Sequence, residues 1–380
     1  MQQKQYSIKI LFVCRDMGGG GAERLTIDLV RNLNKDRFKP TLFIMEKRGR
    51  LLDDIPSDIE AIFATEKIRS KYDYLICLLK LILYARRYQI IVGTLELTPT
   101  YYAWLAGLLW RKPVLGWVHI AVDKFLKHRK QFHTLLFKTI YPRLNGIICV
   151  SKAVCRSARE LCPKIKSDRI QVIYNFIDIE NIRDKSLERI HDNPSYSEKI
   201  PVIVACGRLH YQKGFDVLIR AHANIIRNGM KLKLIILGEG GARRQLVALA
   251  KDIGVSGSIL MPGFADNPYS IIRRSNVFVL SSRYEGFGLV VCEAMALGVP
   301  VIATECEGPV EILKDGKYGI LIPPDNEQKL TEAIESLLKS SKLREELSKI
   351  GKERVKLFSA RNIVPLWDRM FEDVVLNKYV

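Results

Sequence analysis

The chain has 380 residues, of which 48% are hydrophobic and 27% are charged. That length predicts two domains, and the composition excludes a disordered, collagen-like or proline-rich chain. The 60 Lys and Arg residues outnumber the 41 Asp and Glu residues, and the resulting net charge of +19 favours a partner that carries phosphate.

The positive charge is unevenly distributed along the chain. Residues 1–190 hold 34 basic and 19 acidic residues, a net +15, whereas residues 191–380 hold 26 and 22, a net +4. Within the first half, Arg111–Arg169 carries 14 basic residues against 3 acidic ones. Such a basic face attracts nucleic acid, anionic lipid or a phosphorylated substrate; a merely solubilising surface is the alternative.

Short apolar runs rich in β-branched residues alternate with amphipathic stretches throughout, which predicts parallel sheets with crossover helices. In the first half, we predict strands at 8–14, 41–45, 90–93, 114–118 and 146–150, and helices at 22–34, 72–87, 101–110, 130–142 and 151–161. In the second half, we predict strands at 201–207, 233–238, 258–263, 277–282 and 300–304, and helices at 214–228, 242–253, 285–297, 326–339, 343–356 and 362–375. The predicted fold class is α/β, with two doubly wound Rossmann-like domains.

A polar stretch at 177–200 interrupts this alternation. We therefore predict a first domain at 1–176, a linker at 177–200 and a second domain at 201–360, with a final helix at about 361–380 that packs back on the first domain. Ligands of such sheets bind beyond the carboxyl ends of the strands, so we expect the site in a deep cleft across which the two domains face each other.

The first strand is followed at once by MGGGGAER, residues 17–24. Glycines let the backbone approach a ligand closely, and the helix that follows points its free amides at the same place. No Lys-Ser or Lys-Thr pair follows, so this is not a Walker loop. Gly19, Gly20 and Gly21 are therefore candidates for contact with an anion, and a tight turn that needs glycine only for packing is the alternative.

Neither a membrane span nor a disulfide framework is expected. The apolar stretch Tyr88–Trp110 is interrupted at its centre by Glu96, Thr98 and Pro99, so a strand, a turn and a helix explain it better than a span. The eight cysteines show no CxxC pair, and no signal peptide is evident at the N-terminus. We expect a cytoplasmic protein in a reducing compartment.

The segment Trp117–Arg143 mixes cations with large apolar residues. Its cations Lys124, Lys127, Arg129 and Lys130 are the candidates for contact with a membrane or with an acceptor, because such a mixture is typical of a segment lying in a lipid interface. The alternative is a helix that packs Leu135, Leu136 and Phe137 into the core of the first domain.

The first strand of the second domain leads into GRLHYQKGFDV, residues 207–217. Arg208 and Lys213 project from this loop at the carboxyl end of a strand. Two cations at that position suit a diphosphate, since an Arg grips two oxygens at once. Solvated loop charges are the alternative.

The segment SSRYEGFGLVVCEAMALGVP, residues 281–300, carries the most specific pattern. Glu285 ends a loop, Gly286, Phe287 and Gly288 begin a helix, and Glu293 follows eight residues after Glu285, about 12 Å along that helix. The helix start offers donors to an anion or to hydroxyl groups, and a carboxylate accepts hydrogen bonds from two neighbouring hydroxyls. An unpartnered Glu293 among apolar residues would be costly, so a polar partner is expected.

Taken together, these motifs resemble the retaining glycosyltransferases of sequence family 4, which have the two-domain GT-B fold. Glu285 and Glu293 match the family's two glutamates with seven residues between them, and GRLHYQKGFD matches its phosphate-binding loop. Supporting matches are GGAER at 20–24, VIYNFID at 172–178, LGEGGARRQL at 237–246 and MPGF at 261–264.

The resemblance implies roles for individual residues. Glu285 would contact the donor sugar, Glu293 the ribose hydroxyls, and Arg208 and Lys213 the diphosphate, standing in for a metal. The amides of Gly286, Phe287, Gly288 and Leu289 would assist Glu285, backbone around Gly263 and Phe264 would meet the base, and the Gly19–Gly21 loop would approach the phosphates. His119 would touch the donor sugar near the reacting atoms; a structural histidine satisfied by protein groups is the alternative.

The function that follows is transfer of a hexose or N-acetylhexosamine from a nucleotide sugar to a lipid-linked glycan, a lipopolysaccharide core or a polysaccharide at the inner face of the membrane. UDP is implied as the nucleotide by its frequency in the family; no cofactor, metal or nucleic acid is expected. A nucleotide-sugar 2-epimerase is one alternative, with Glu96 and Asp123 as its candidate acids, and a basic RNA-binding protein is another.

Overall fold

Two parallel sheets organise the chain in the computed structural model, which describes residues 7–127, 131–188 and 200–376. The chain divides into two compact units, one made of Met1–Phe176 with Ala360–Val380 and the other of Ile177–Ser359. Each unit has its own sheet and its own buried core.

The first unit contains a seven-stranded sheet of order β3-β2-β1-β4-β5-β6-β7, in which every pairing is parallel. Its strands are β1 Ile8–Cys14, β2 Phe38–Glu46, β3 Glu60–Thr65, β4 Ile90–Gly93, β5 Val114–Val118, β6 Gly146–Cys149 and β7 Ile170–Val172. The helices between them are α1 Gly21–Asn32, α2 Lys71–Ala85, α3 Thr98–Trp110, α4 Val122–Lys127, α5 Gln131–Ile140 and α6 Lys152–Leu161.

The second unit contains a six-stranded parallel sheet of order β10-β9-β8-β11-β12-β13. Its strands are β8 Val202–Cys206, β9 Lys233–Leu237, β10 Ile259–Gly263, β11 Val277–Leu280, β12 Val301–Thr304 and β13 Ile320–Ile322. Its helices are α7 Ile179–Ser186, α8 Phe215–Arg227, α9 Arg243–Asp252, α10 Tyr269–Arg273, α11 Leu289–Ala296, α12 Glu307–Leu313, α13 Glu327–Lys339 and α14 Ser341–Val355.

Both sheets reverse their direction of growth at one place, between β1 and β4 in the first unit and between β8 and β11 in the second. Crossovers between parallel strands are right-handed, so growth in both directions places helices on both faces of a sheet. Strands covered on both faces must be apolar throughout, which is why β1 and β8 are continuous apolar runs rather than alternating ones. In such sheets the point of reversal is where ligands bind.

The last helix, α15 Ala360–Val375, belongs to the first unit. The ring of Trp367 lies 4.5 Å from that of Trp117, measured between centroids, and the ring of Phe371 lies 6.1 Å from Phe12 and 5.7 Å from Phe38. All five of these aromatic side chains are fully buried. The C-terminal helix α15 therefore packs into the same core as the first strands of the chain.

The predicted strands and helices are found with small shifts at their ends, and the predicted α/β class and doubly wound sheets are confirmed. Three edge strands, β3, β7 and β13, were not predicted from the sequence, because their apolar runs are short or half-exposed. Part of the predicted linker differs as well: Ile179–Ser186 form α7, capped by Asp178, whose carboxylate accepts from the Asn181 amide at 3.0 Å.

Candidate functional site

In the second unit, the loops that follow β8 and β11 lie side by side because those two strands are neighbours at the point of reversal. This brings together Lys213 and Glu285, which are 72 residues apart: the Lys213 Nζ lies 2.6 Å from the Glu285 Oε2. The hydroxyl of Ser282 donates to the same oxygen at 3.2 Å. Both charged side chains are largely buried, at 17% and 15% exposure, so little water competes for their contact.

Arg283 fastens these two loops together. Its guanidinium grips the Asp216 carboxylate with two nitrogens, at 3.0 and 2.7 Å, and its Nε lies 2.7 Å from Asp325. It also donates to the Tyr211 carbonyl at 2.6 Å and lies 4.0 Å above the Tyr211 ring. Because Tyr211 and Lys213 share one tight turn, Arg283 determines where the Lys213 backbone sits relative to the Glu285 loop.

Gly214 permits the close approach of the loops. Its φ of +59° lies in the left-handed region, and a Cβ at this position would lie 2.1 Å from the Ser281 carbonyl oxygen. The Ser281 hydroxyl in turn donates to the Lys213 carbonyl at 2.8 Å. Any side chain at 214 would therefore force apart the segments that carry Lys213 and Glu285.

Arg208, the second predicted cation of the β8 loop, is exposed. Among the residues that the structure describes, it makes no hydrogen bond or ion pair, so its guanidinium is available to an anion. The Gly263 carbonyl accepts from the Gly238 amide at 2.7 Å, which ties the ends of β10 and β9, and Phe264 follows half-buried. The structure thus places Arg208 after the carboxyl end of β8, and Gly263 and Phe264 at the carboxyl end of β10, with β9 between these two strands.

Helix α11 begins at Leu289, later than the predicted start at 285, because Gly288 adopts a φ of +96° as the residue before it. The Glu285 side chain lies against this turn: a Cβ on Gly288 would be 3.6 Å from the Glu285 Cγ. Phe287 is buried, and its ring packs edge-on against Phe358 at 5.4 Å. Glu285 therefore stands near the positive end of a helix, where the helix dipole attracts an anion.

Glu293 lies in the middle of α11 among buried residues and is 9% exposed. The Tyr269 hydroxyl donates to its Oε1 at 3.4 Å, which provides the polar partner that the sequence analysis expected. A carboxylate can accept several hydrogen bonds, so hydroxyl groups of a ligand are suitable donors to this group.

In the first unit, the predicted residue His119 follows β5 and is held by Glu96, which follows β4. The Glu96 Oε1 accepts from the backbone amide of His119 and, at 3.0 Å, from that of Ile120. The His119 Nε2 lies 3.0 Å from the Thr94 carbonyl oxygen, and its ring lies 4.7 Å from the Trp117 ring. A carbonyl can only accept, so Nε2 carries the proton and Nδ1 is left as an acceptor.

Burial changes the protonation of both groups. It lowers the pKa of His119 to about 3, with a small opposing contribution from the bond to Thr94, so the ring is neutral at pH 7. Burial raises the pKa of Glu96 to about 7, although the amides of His119 and Ile120 act in the opposite direction. The next residue, Leu97, has a φ of +68°, an unfavourable value for leucine that marks this turn as strained.

The glycine loop after β1 shares this sheet edge with Thr94 and Glu96, because β1 and β4 are neighbours. Gly19 has a φ of +98°, Gly20 precedes α1, and Gly21 is its first residue. The Asp16 carboxylate stabilises the loop, because it accepts from the Gly18 amide at 3.0 Å and from Arg48 at 2.7 Å.

The two candidate acids of the epimerase alternative serve the protein's own structure. Glu96 accepts hydrogen bonds from backbone amides, as described above. The Ser157 hydroxyl donates to the Asp123 carboxylate and accepts from the Asp123 amide at 3.1 Å. No observation on the described residues favours an acid–base pair made of these two groups.

The basic segment is described in part. Lys124 and Lys127 lie on α4, whereas Arg129 and Lys130 lie outside the described residues. Phe137 is buried, as the core alternative requires, but Leu135 is 63% exposed and does not join the core. The helices that the structure describes include none with the length and apolar character needed to cross a bilayer.

Sequence reasoning missed Arg283, Asp216, Asp16 and the role of Glu96. Arg283 stands in the quoted motif SSRYEGFG, yet its partner Asp216 is 67 residues away. Only the adjacency of β8 and β11 connects them, so no local pattern could have identified the pair.

Comparison with known proteins gives a consistent result along the chain. Residues 19–181 match the family model "Glycosyltransferase Family 4", and residues 187–354 match "Glycosyl transferases group 1". An N-acetylgalactosamine-N,N'-diacetylbacillosaminyl-diphospho-undecaprenol 4-alpha-N-acetylgalactosaminyltransferase of Campylobacter jejuni is 29% identical over 357 residues, covering 90% of this chain and 93% of that protein. The lipopolysaccharide core biosynthesis glycosyltransferase LpsE of Rhizobium meliloti is 31% identical over 207 residues, or 54% of this chain and 58% of LpsE.

Among solved structures, that of Anabaena Alr3699/HepE in complex with UDP superposes with a TM-score of 0.81 at 20% identity, covering 96% of this chain and all of that one. The likeness establishes the fold, which is GT-B. With two family models that match 19–181 and 187–354, the chain belongs to the family 4 glycosyltransferases and is a glycosyltransferase.

Proposed function

We propose that this enzyme transfers a hexose or N-acetylhexosamine from a UDP-linked donor, with retention and without a metal, to a lipid-linked or polysaccharide acceptor at the inner face of the membrane. The observation that carries the proposal is the contact of Lys213 with Glu285 at the reversal point of the second sheet. It places one fixed cation and one carboxylate beside the start of α11, with Arg208 exposed on the same loop.

These groups suit the chemistry of a departing diphosphate. When the bond between the anomeric carbon and the phosphate oxygen breaks, negative charge grows on the diphosphate. Lys213, held by its ion pair, and the exposed Arg208 are cations that stabilise this charge, and stabilisation that grows toward the transition state accelerates the reaction. Two such cations make a metal ion unnecessary for this role.

Retention is best explained by attack on the face from which the diphosphate leaves. The acceptor hydroxyl forms the new bond to the anomeric carbon, the donor bond breaks, and the hydroxyl proton passes to the leaving phosphate oxygen. Glu285 then orients the sugar and stabilises positive charge at the anomeric carbon. Its carboxylate, paired with Lys213, is held in place for that task.

His119 contributes through its neutral ring. Because Nε2 donates to Thr94, Nδ1 can accept a hydrogen bond from a sugar hydroxyl without adding charge. In this proposal Glu293 holds the ribose hydroxyls, and the glycine loop Gly19–Gly21 meets the phosphates.

The choice of donor and acceptor draws on the relatives. The HepE structure was obtained in complex with UDP, the Campylobacter relative acts on a diphospho-undecaprenol glycan, and LpsE serves lipopolysaccharide core biosynthesis. A net charge of +15 in residues 1–190 suits an acceptor that carries a diphosphate and lies at an anionic surface.

The test is a panel of UDP-glucose, UDP-galactose, UDP-GlcNAc and UDP-GalNAc, scored first by the rise in melting temperature and then by turnover with and without EDTA. We expect one donor to stabilise the protein, turnover to survive EDTA, and the product to keep the donor's anomeric configuration by NMR. Alanine at Lys213 or Arg208 is expected to lower kcat/KM by about 10²-fold or more. An inverted product or a strict need for Mg²⁺ would contradict the proposal.

A further inference from the structure

Helix α2 of the first unit presents apolar side chains to solvent on the side opposite its buried face. Cys77, Leu81 and Ala85, spaced four residues apart, form the buried stripe. Seven residues of the helix are exposed; Lys71 and Lys80 are two of them, and the other five are Tyr72, Leu75, Ile76, Leu79 and Leu83. A helix that is apolar on both faces normally has both faces covered.

The C-terminal end of α3 extends this surface. Leu108, Leu109 and Trp110 are all exposed, and the Trp110 Nε1 donates to the Ile82 carbonyl of α2 at 2.7 Å. Of the 17 large apolar side chains that are exposed in the described parts of the chain, these eight lie on the two neighbouring helices. We call the surface made by Tyr72, Leu75, Ile76, Leu79, Leu83, Leu108, Leu109 and Trp110 the α2–α3 face.

Cations follow both helices at one end of this face. Arg86 and Arg87 come directly after α2, and Arg111 and Lys112 directly after α3. Because the side chain of Trp110 is bonded to the last turn of α2, the two pairs lie at the same end. Asp73 is the acidic residue within the two helices, and its carboxylate is engaged by the amides of Arg69 and Ser70, at 2.8 and 2.7 Å.

We propose that the α2–α3 face seats the enzyme on an anionic lipid bilayer. The leucines and Ile76 enter the boundary of the acyl chains, Tyr72 and Trp110 lie at the level of the headgroups, and the two cation pairs meet lipid phosphates. Helix α2, with 15 residues, is shorter than the roughly 20 needed to span the hydrocarbon core, so it lies in the interface.

This inference rests on the proposed function, because an acceptor carried on lipid is what makes a membrane the relevant surface. It deepens that proposal by assigning the attachment to a defined face other than the basic segment at Lys124 and Lys127. The charges favour lipid over a second copy of the chain. If two copies paired through this face, each would bring Arg86, Arg87, Arg111 and Lys112 close to the interface. The one carboxylate on the two helices, Asp73, already caps α2, so these cations would lack a counter-charge.

The first experiment is co-sedimentation with vesicles of phosphatidylcholine alone and of phosphatidylcholine with 30% phosphatidylglycerol. We expect binding to require the anionic lipid and to weaken in high salt. The double variant Leu79→Glu with Leu83→Glu is expected to lose about tenfold or more in vesicle affinity, since each change removes an exposed apolar side chain that would enter the bilayer. The matched control is Val247→Glu with Leu357→Glu, which adds the same charge at two exposed apolar positions of the second unit and should bind as the wild type does.

The second experiment uses Trp110 as a probe of depth. Vesicles that contain brominated phosphatidylcholine should quench tryptophan fluorescence in the wild type. Of the four tryptophans, Trp110 is exposed on the face, Trp104 is half-buried on α3, and Trp117 and Trp367 are fully buried. Trp110→Phe should remove most of this quenching while the protein still sediments with the vesicles. Quenching that is unchanged in Trp110→Phe would overturn the proposed depth of the face.

Two readouts keep the inference separate from the proposed function. Stabilisation by UDP and turnover on a short, water-soluble acceptor should be the same in Leu79→Glu with Leu83→Glu as in the wild type. Vesicle binding that survives this variant but is lost when Lys124, Lys127, Arg129 and Lys130 become Glu would overturn the α2–α3 face and leave the transferase proposal intact. A dimer in lipid-free solution that the Leu79 and Leu83 changes dissociate would identify a second copy as the occupant instead.

Discussion

Lys213 and Glu285 carry opposite charges 2.6 Å apart, and each therefore sets the orientation of the other. Neither side chain is on a rigid part of the sheet; both stand on loops at the ends of neighbouring strands. The pairing gives the carboxylate one position relative to the start of α11, which is what a group that must meet a sugar at a fixed distance requires.

Replacement of Glu285 by glutamine tests this role at the scale of one residue. Glutamine keeps the shape but removes the charge, so Lys213 loses its partner and the anomeric carbon loses a stabilising carboxylate. We expect kcat to fall by about 10²-fold or more while the affinity for UDP stays within a few fold. Steady-state kinetics and UDP titration measure the two effects. Glu305→Gln, a change at an exposed glutamate of the same unit, is the control, and a kcat for Glu285→Gln equal to that of the wild type would remove Glu285 from the mechanism.

Glu96 gives a second prediction at this scale, in the form of a pH dependence. Burial raises its pKa to about 7 from the usual 4.5, so between these values the folded chain keeps a proton that the unfolded chain has lost. The stability that this proton confers is full below about pH 4.5 and is lost as the pH rises through 7, by at most about 1.4 kcal/mol per pH unit.

The measurement is the free energy of unfolding of the wild type minus that of Glu96→Gln, from pH 5 to pH 8. His119, with its lowered pKa, acts with the opposite sign in part of this range, but it is present in both proteins and largely cancels. We expect the difference to fall by about 1–3 kcal/mol as the pH rises. A difference that does not change with pH would show that Glu96 titrates as an exposed carboxyl does.

At the scale of elements, the loops after β8 and β11 act as one unit. Arg283 bonds to Asp216 at the start of α8 and to the turn at Tyr211, and the Ser281 hydroxyl bonds to the Lys213 carbonyl. These hydrogen bonds together hold the two loops in one relative position. Each bond restricts a segment that the other bonds also restrict, so the network is stronger than any single contact.

Gly214→Ala tests that register. The new Cβ would lie 2.1 Å from the Ser281 carbonyl, and alanine disfavours the φ of +59°, so the two loops must separate. We expect a loss of about 2 kcal/mol or more in stability and a fall in kcat/KM of about tenfold or more.

Gly229→Ala is the matched control for this substitution. Gly229 also has a positive φ, of +86°, but no atom lies within 4 Å of its added Cβ. It should show the backbone cost of about 1–2 kcal/mol and no change in kcat/KM. Equal effects of the two substitutions on activity would mean that the contact of the loops has no part in the reaction.

At the scale of the whole molecule, the chain returns to its first unit with α15. Phe371 packs on Phe12 and Phe38 and is fully buried, so Phe371→Ala should cost about 3–5 kcal/mol of stability. Urea unfolding followed by tryptophan fluorescence reports this, since Trp117 and Trp367 lie in the same core. Val375→Ala, at an exposed position of α15, should change stability by less than about 0.5 kcal/mol, and a similar small effect at Phe371 would contradict the packing of α15.

The sequence by itself determined the fold class, most strands and helices, and the candidate residues for a donor site. Apolar runs such as Ile8–Cys14 and Val202–Cys206 are buried on both faces of a parallel sheet, and that burial is visible in composition and period without any partner. The glycine-rich turns and the residues Lys213 and Glu285 stand directly after such strands, so their place at the carboxyl edge could also be predicted.

Only the tertiary structure decided which of these residues meet and which surfaces remain exposed. Three contacts join segments that strand order brings together, and a local sequence pattern does not encode that order. They are the ion pair of Lys213 with Glu285, the ion pair of Arg283 with Asp216, and the hydrogen bond from the His119 amide to Glu96. The α2–α3 face is of the same kind. The sequence shows only that a leucine is apolar, and not whether it is buried. Packing in the first unit covers Leu81 and leaves Leu79 and Leu83 exposed.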